Sequence, residues 1–203
     1  MGVLAGALTG RRFRVTGTLP EGWQTFFQAQ LNERAFREPS SASGKEENEG
    51  WVRVQNLLDT DFDDTNQWLF QNYAVFALRV DVKTLPARLL AAHVDKRCRA
   101  WAAERGVGRA PATVRQEIKE ALETEWLARA LPRVAVTEIA WNVVSGTAIV
   151  GATSDKVIDR IRKRFSATFR MDLIPWSPLD ASEDVAQRET LLASEPGTVG
   201  GEA

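Results

Sequence analysis

Phe76-Ala77-Leu78-Arg79-Val80-Asp81-Val82-Lys83 alternates apolar and polar side chains. Phe76, Leu78, Val80 and Val82 point one way; Ala77, Arg79, Asp81 and Lys83 point the other. A period of two is that of a strand with one buried face. The pattern extends back to residue 73, and Leu85-Pro86 closes it. Proline lacks a backbone donor but suits the first turn of a helix. The spacing of Leu90, Val94, Cys98 and Trp101 predicts that helix as far as Arg105. Gly106 to Pro111 then reads as a turn, and Val114, Ile118 and Leu122 mark a second helix ending near Leu131-Pro132.

The same reading carries outward in both directions. Residues 133–141 and 146–152 predict two strands joined by a turn at Ser145-Gly146. Val157, Ile158, Ile161, Phe165 and Phe169 predict an amphipathic helix capped by Thr153 or Ser154. Met171 to Trp176 is a final strand. Upstream, residues 12–18 alternate Phe13 and Val15 against Arg12, Arg14 and Thr16, and Trp23 to Ala35 carries helical spacing. Pro39 to Gly50 reads as a mobile loop, Trp51 to Val54 as a short strand, and Asp59 to Asn66 as exposed. This order predicts an α+β fold with mixed or antiparallel sheet elements and three to four amphipathic helices, two of them a projecting central pair. The expected units are a strand and helix over 1–37, an acidic loop and short strand over 38–72, a body over 73–178, and an acidic, disordered tail over 179–203.

The net charge of -1 hides a segregation. Residues 65–179 hold eighteen basic and eleven acidic side chains, whereas residues 38–64 hold two and eight, and residues 180–203 hold one and six. Local potential, more than total charge, attracts an anionic partner. The apolar start, Met1 to Thr9, precedes Arg11, Arg12 and Arg14, the reverse of a secretory signal. No stretch is long and apolar enough for a membrane span. With Cys98 the single cysteine, a cytoplasmic protein without internal disulfides is expected.

Catalytic apparatus is sparse. His93 and Cys98 are five residues apart on one predicted helix, so they do not share a face, and the simpler reading is a partly buried histidine beside a core cysteine. Nucleotide-binding glycine motifs and Cys/His metal spacings are missing. Asp59, Asp61, Asp63 and Asp64 lack the glycine and glutamate of a calcium loop. The residues therefore predict no enzyme, no metal and no cofactor; a two-carboxylate nuclease ranks last. Of the seven tryptophans, Trp101, Trp126 and Trp141 read as core, which disfavours a base-stacking platform.

The cations form three groups: Arg11, Arg12 and Arg14; a central set from Arg88 to Lys119; and Lys156, Arg160, Lys163 and Arg164, which share one side of the last helix. Rows of long cationic side chains suit regularly spaced phosphates. Arg109 stands on a glycine-flanked turn with no adjacent acid, placed to project onto a phosphate.

In order, Ala77-Leu78-Arg79-Val80-Asp81-Val82-Lys83-Thr84-Leu85-Pro86-Ala87, Gly106-Val107-Gly108-Arg109, the helix containing Lys119-Glu120, Leu131-Pro132-Arg133, a hairpin from Trp141 to Ala152, the helix with Ile158 and Arg162, and Leu173-Ile174-Pro175 resemble the RdgC family of recombination-associated proteins. Gly50-Trp51 fits a Gly-Trp near that family's N-terminal strand, so the resemblance covers about residues 50–178. It implies a non-sequence-specific duplex DNA-binding protein that modulates recombination by occupying DNA, as a homodimer or higher homo-oligomer on the nucleoid. It implies that Arg79 and Lys83 are the strand's basic positions and that Arg109 is the tip of a projecting finger. The chain departs from the family in ending about a hundred residues early, with an acidic tail in place of the C-terminal region that helps close a ring. The expected DNA contacts are Arg79, Lys83, Arg109, Arg115, Lys156, Arg160, Lys163 and Arg164. The competing expectation is a protein-interaction module, or the structural subunit of an assembly, that reuses the shortened fold without DNA.

Overall fold

In a computed structural model, residues 2–4, 6–38, 47–177, 187, 189 and 190 are described. They form an α+β fold: a seven-stranded sheet and four α-helices. The strands are β1 (Arg11–Thr16), β2 (Glu47–Val52), β3 (Leu69–Phe70), β4 (Tyr73–Val82), β5 (Arg133–Asn142), β6 (Thr147–Val150) and β7 (Asp172–Pro175). The helices are α1 (Trp23–Glu33), α2 (Ala87–Glu104), α3 (Ala112–Arg129) and α4 (Asp155–Phe169). The strand order is β2-β4-β5-β6-β1-β7, with β3 on β4. Every pairing is antiparallel. The sheet thus draws β1 and β2 in beside strands of the 73–178 segment.

The alternation in β4 decides which face is packed. Phe76 and Leu78 enter one core with Trp51, Ile139 and Trp141 from neighbouring strands, Phe27 and Leu31 from α1, and Ile158, Ile161, Phe165 and Phe169 from α4. Its centre is aromatic: Trp51 and Phe76 meet edge to face at 5.1 Å between centroids, and Phe27 and Phe169 at 4.9 Å. Such contacts add to simple area burial. The Trp51 indole donates to Thr168 Oγ1 at 2.9 Å, which supplies the partner that a buried N–H needs.

The opposite face is not the wet surface that alternation predicts. Phe36, Val52 and Ala77 form a small second cluster there. Chain residues 35 and 36 cross directly over Gly50, where a Cβ would lie 2.3 Å from the Phe36 Cα. The Phe36 N–H donates to the Trp51 carbonyl, and the Trp51 N–H to that of Arg34. Gly50 is therefore required by close backbone approach.

Three other expectations are corrected. The strand before Trp51 begins at Glu47, inside the segment read as loop; residues 39–46 of that loop, and all of the acidic tail 179–203 except 187, 189 and 190, lie outside the described residues. The acidic stretch 59–66 is largely exposed as expected, and the correction is confined to Phe62, which is fully buried and whose N–H donates to Asn32 Oδ1 at 2.9 Å. Its carbonyl accepts from the buried Trp68 indole at 3.1 Å. His93 is exposed, set edge-on to Trp126 at 5.1 Å, whereas Cys98 is buried as expected. Ser154 does stand at the N-cap of α4, but its side chain makes no capping bond.

α2 and α3 form an antiparallel arm inserted between the paired strands β4 and β5. At 18 residues each, they are about 27 Å long. The principal packing partner of each is the other. Leu90, Val94, Cys98 and Leu122 form a core separate from that of the sheet, supported by Ala110, Ile118 and Trp126. No helix among the described residues is long and apolar enough to cross a membrane.

Candidate nucleic-acid interface

The eight residues expected to touch DNA divide by what already holds them. Arg79 is corrected outright. It is 6% exposed, and its guanidinium forms two parallel bonds to Asp81, at 2.8 and 2.7 Å. It also donates to the Leu57 carbonyl at 3.2 Å and lies 4.0 Å over the Phe36 ring. Hydrogen bonding to Asp81 raises its pKa further above the ordinary arginine value, against the opposing effect of burial. With three of its N–H groups bonded inside the protein and only 6% of the residue exposed, Arg79 does not present its fork to solvent.

Lys83 is also engaged. Its ammonium donates to the Leu127 carbonyl at 2.8 Å. Leu127 lies in the last turn of α3, whose carbonyls lack intrahelical partners, so a cation there also meets the negative end of the helix dipole. The lysine ties the end of β4 to the end of α3 at the root of the arm.

In the arm, two arginines act as struts. Arg115 of α3 meets Asp95 of α2 at 2.7 Å, and Arg97 of α2 meets Glu125 of α3 at 3.1 Å. The Asp95 bond holds the Arg115 pKa above its ordinary value. Arg109, by contrast, is exposed at the tip and has no carboxylate partner among the described residues. With Arg99 and Arg115 it lines a cavity of about 280 Å³ beside Cys98. Arg88, Lys96 and Arg99 of α2 are likewise exposed and without such a partner among the described residues. Steps of eight and three residues leave them within one quadrant or so of the helix. Sequence reading placed these three in the central basic set but not among the contacts. Their signal was the absence of an acid at i±3 or i±4 on the same face, which Asp95 obscured by pairing across to Arg115 instead.

Of the α4 row, Lys156 and Lys163 stand on the surface opposite the apolar stripe, as the spacing predicts. Lys156 and Lys163 are exposed, with no ion pair among the described residues. Arg160 and Arg164 turn instead toward β2. Arg160 meets Glu47 at 2.5 Å and Glu49 at 3.8 Å; Arg164 meets Glu49 at 3.7 Å. Since Thr168 lies on Trp51, α4 and β2 run in the same direction. Glu47 pairs with Val82, the last residue of β4. The first turn of α4, with Lys156, therefore lies at the sheet end from which the arm departs.

Trp51, Trp68 and Trp141 are buried; Trp23, Trp101, Trp126 and Trp176 are half-buried, with the Arg105 guanidinium 4.3 Å from the Trp101 ring and that of Arg12 5.1 Å from the Trp176 ring. No group of three or more His, Cys, Asp and Glu side chains able to hold a metal occurs among the described residues. The carboxylates of 59–64 are spent locally: Asp61 accepts from the Asp63 N–H, Asp63 from Asn32, Asp59 from Asn56, and Asp64 from Asn66 and Gln67.

Against known proteins, the family model described as "Putative exonuclease, RdgC" matches residues 11–191. The match takes in β1 and α1, which lie ahead of the segment carrying the resemblance. No curated protein shows significant similarity to the chain.

Proposed function

The chain belongs to the RdgC family, and from that membership we propose that it binds duplex DNA through the phosphate backbone, without sequence preference, and modulates recombination by occupancy rather than catalysis. The observation that carries the reading is the set of exposed cations on α2 and the arm tip, Arg88, Lys96, Arg99 and Arg109, which have no carboxylate partner among the described residues. Lys156 and Lys163 add to it at the root of the arm. Unpaired long cations release counterions when they meet phosphate, whereas paired ones must first exchange a partner. On this reading the protein sits on the nucleoid as a homodimer or higher homo-oligomer. Its contacts are Arg109, Lys156 and Lys163 from the expected set, joined by Arg88, Lys96 and Arg99.

The family's description names an exonuclease. Acid-and-metal phosphodiester cleavage draws carboxylates together around the ions. The dispersed carboxylates of the described residues and the local bonds of the 59–64 stretch support the non-catalytic reading. Two unrelated 30-base-pair duplexes in a salt titration test it. Both should bind equally, with log K falling by about 0.9 per phosphate contacted for each unit of log[salt]. No complex with either duplex at low salt overturns the binding. Loss of end label with magnesium overturns the non-catalytic part.

A second reading, a protein-interaction module, has its own observation. β6 pairs with β5 only from Ile139 onward, so residues 133–137 have a strand partner on the β4 side alone. Val134 and Val136 there are each 41% exposed. An open apolar edge accepts an added strand. A stoichiometric protein partner co-purifying without nucleic acid would favour this reading.

A further inference from the structure

Two of the α4 arginines are held by an internal anion ladder. Glu47 and Glu49 lie two residues apart on β2, on the same side of the strand as Trp51, and so are separated by about 6.8 Å along it. Arg160 and Arg164 lie one turn apart on α4, about 6 Å along it. The two repeats run in the same direction and match, which brings Arg160 to Glu47 and Arg164 to Glu49.

Arg160 meets Glu47 closely, at 2.5 Å, but both pairs stay partly open to solvent. The side chains are between 25% and 46% exposed. Arg164 is poorly satisfied: its carboxylate contact is 3.7 Å, its bond to the Arg34 carbonyl is 3.4 Å, and its Nε is buried with no hydrogen-bond partner. The groove between strand and helix, about 610 Å³, also carries Lys156 and Lys163. A phosphate oxygen is the same kind of acceptor as a carboxylate and fits the guanidinium fork at least as well.

We propose that Glu47 and Glu49 are an internal phosphate mimic: they occupy Arg160 and Arg164 until duplex phosphates displace them, and thereby hold down the resting affinity for DNA. The inference rests on the duplex-binding reading above. It makes the α4 groove a competitive site, in which each phosphate gained costs a carboxylate released.

The test is a salt-titrated duplex-binding series on the full chain, comparing wild type, E47Q/E49Q and a charge-matched control, E21Q/E117Q, at exposed positions without an ion pair among the described residues. Freeing two partly exposed arginines raises affinity by about three- to tenfold. The slope of log K against log[salt] stays that of wild type, because once the carboxylates are displaced both proteins engage the same phosphates. The control changes affinity less and leaves the slope as in wild type. In an R160A/R164A background, E47Q/E49Q adds nothing beyond the control. If E47Q/E49Q melts below the assay temperature, E47Q alone carries the test, with about half the gain in log K, because Glu47 makes the shorter contact. Wild type that binds, with E47Q/E49Q matching the control, overturns the mimic and leaves the duplex-binding reading standing. No binding by wild type, E47Q/E49Q or E47Q overturns both.

Discussion

Replacing Asp81 by asparagine isolates the Arg79 guanidinium. The two side chains are 7% and 6% exposed and share two bonds of 2.8 and 2.7 Å. Removing one member of a buried ion pair costs about 3–5 kcal/mol, because the other charge is left uncompensated. Asparagine retains one acceptor oxygen, and the Leu57 carbonyl and Phe36 ring remain in place, so about 3 kcal/mol is expected, the lower end of that range. With a urea m-value of about 2 kcal/mol/M, the midpoint falls by about 1.5 M. Replacing both partners, as R79M/D81L, removes the orphan charge and returns stability to within about 1 kcal/mol of wild type. Because Arg79 is turned inward, the double variant keeps wild-type DNA affinity and salt slope. A D81N loss below about 1 kcal/mol, or a double variant no better than D81N, would refute the buried-pair reasoning. A slope reduced by about 0.9 in R79M/D81L would restore Arg79 to the phosphate contacts.

R99A/R109A should lower the duplex-binding salt slope by about 1.8, while R97A, whose partner is Glu125, should change it much less; salt titration separates the two. Leu122 is fully buried in the arm's own core, so Leu122→Ala should destabilise the arm by about 2–5 kcal/mol. Hydrogen exchange should then quicken across residues 87–129 while β4 keeps its protection. Gly50→Ala, which sets a methyl 2.3 Å from the Phe36 Cα, should cost roughly 1–3 kcal/mol or more in a thermal melt.

The framework was legible wherever one face of an element carries its burial. β4, the arm helices, β5 and α4 follow periods of 2 and 3.6 closely, and the structure places them within a residue or two of their expected ends. What failed was inference about the unburied side. Alternation put Arg79 and Asp81 on a wet face, but residues 35–36 and Leu57 come from distant sequence to cover it, and no local pattern announces that. β2 was shortened because Glu47 and Glu49 carry the polarity of a loop; their reason for being in a strand is the arginines of α4, more than a hundred positions away. Phe62 and Trp68 were lost among aspartates for the same reason. The interface was legible as charge, not as availability. Sequence shows which cations exist, whereas a count of carboxylates near them in space decides which remain for a phosphate. Carboxylates hold Arg79 and Arg115, and Arg160 and Arg164 meet Glu47 and Glu49; a backbone carbonyl holds Lys83; Arg109, Lys156 and Lys163 have no carboxylate partner among the described residues.

The arm has a core of its own, yet both of its ends are fastened into adjacent rungs of one ladder, β4 and β5, with Lys83 bracing the junction. Mechanically it is a long arm rooted at one short junction. Over a length of about 27 Å, a tilt of roughly ten degrees at the root would sweep the Arg109 tip through about 5 Å. On the duplex-binding proposal, the arm tip follows the uneven contour of a duplex while the sheet stays in place, and the small root region around Lys83 and Leu127 sets how stiffly it does so.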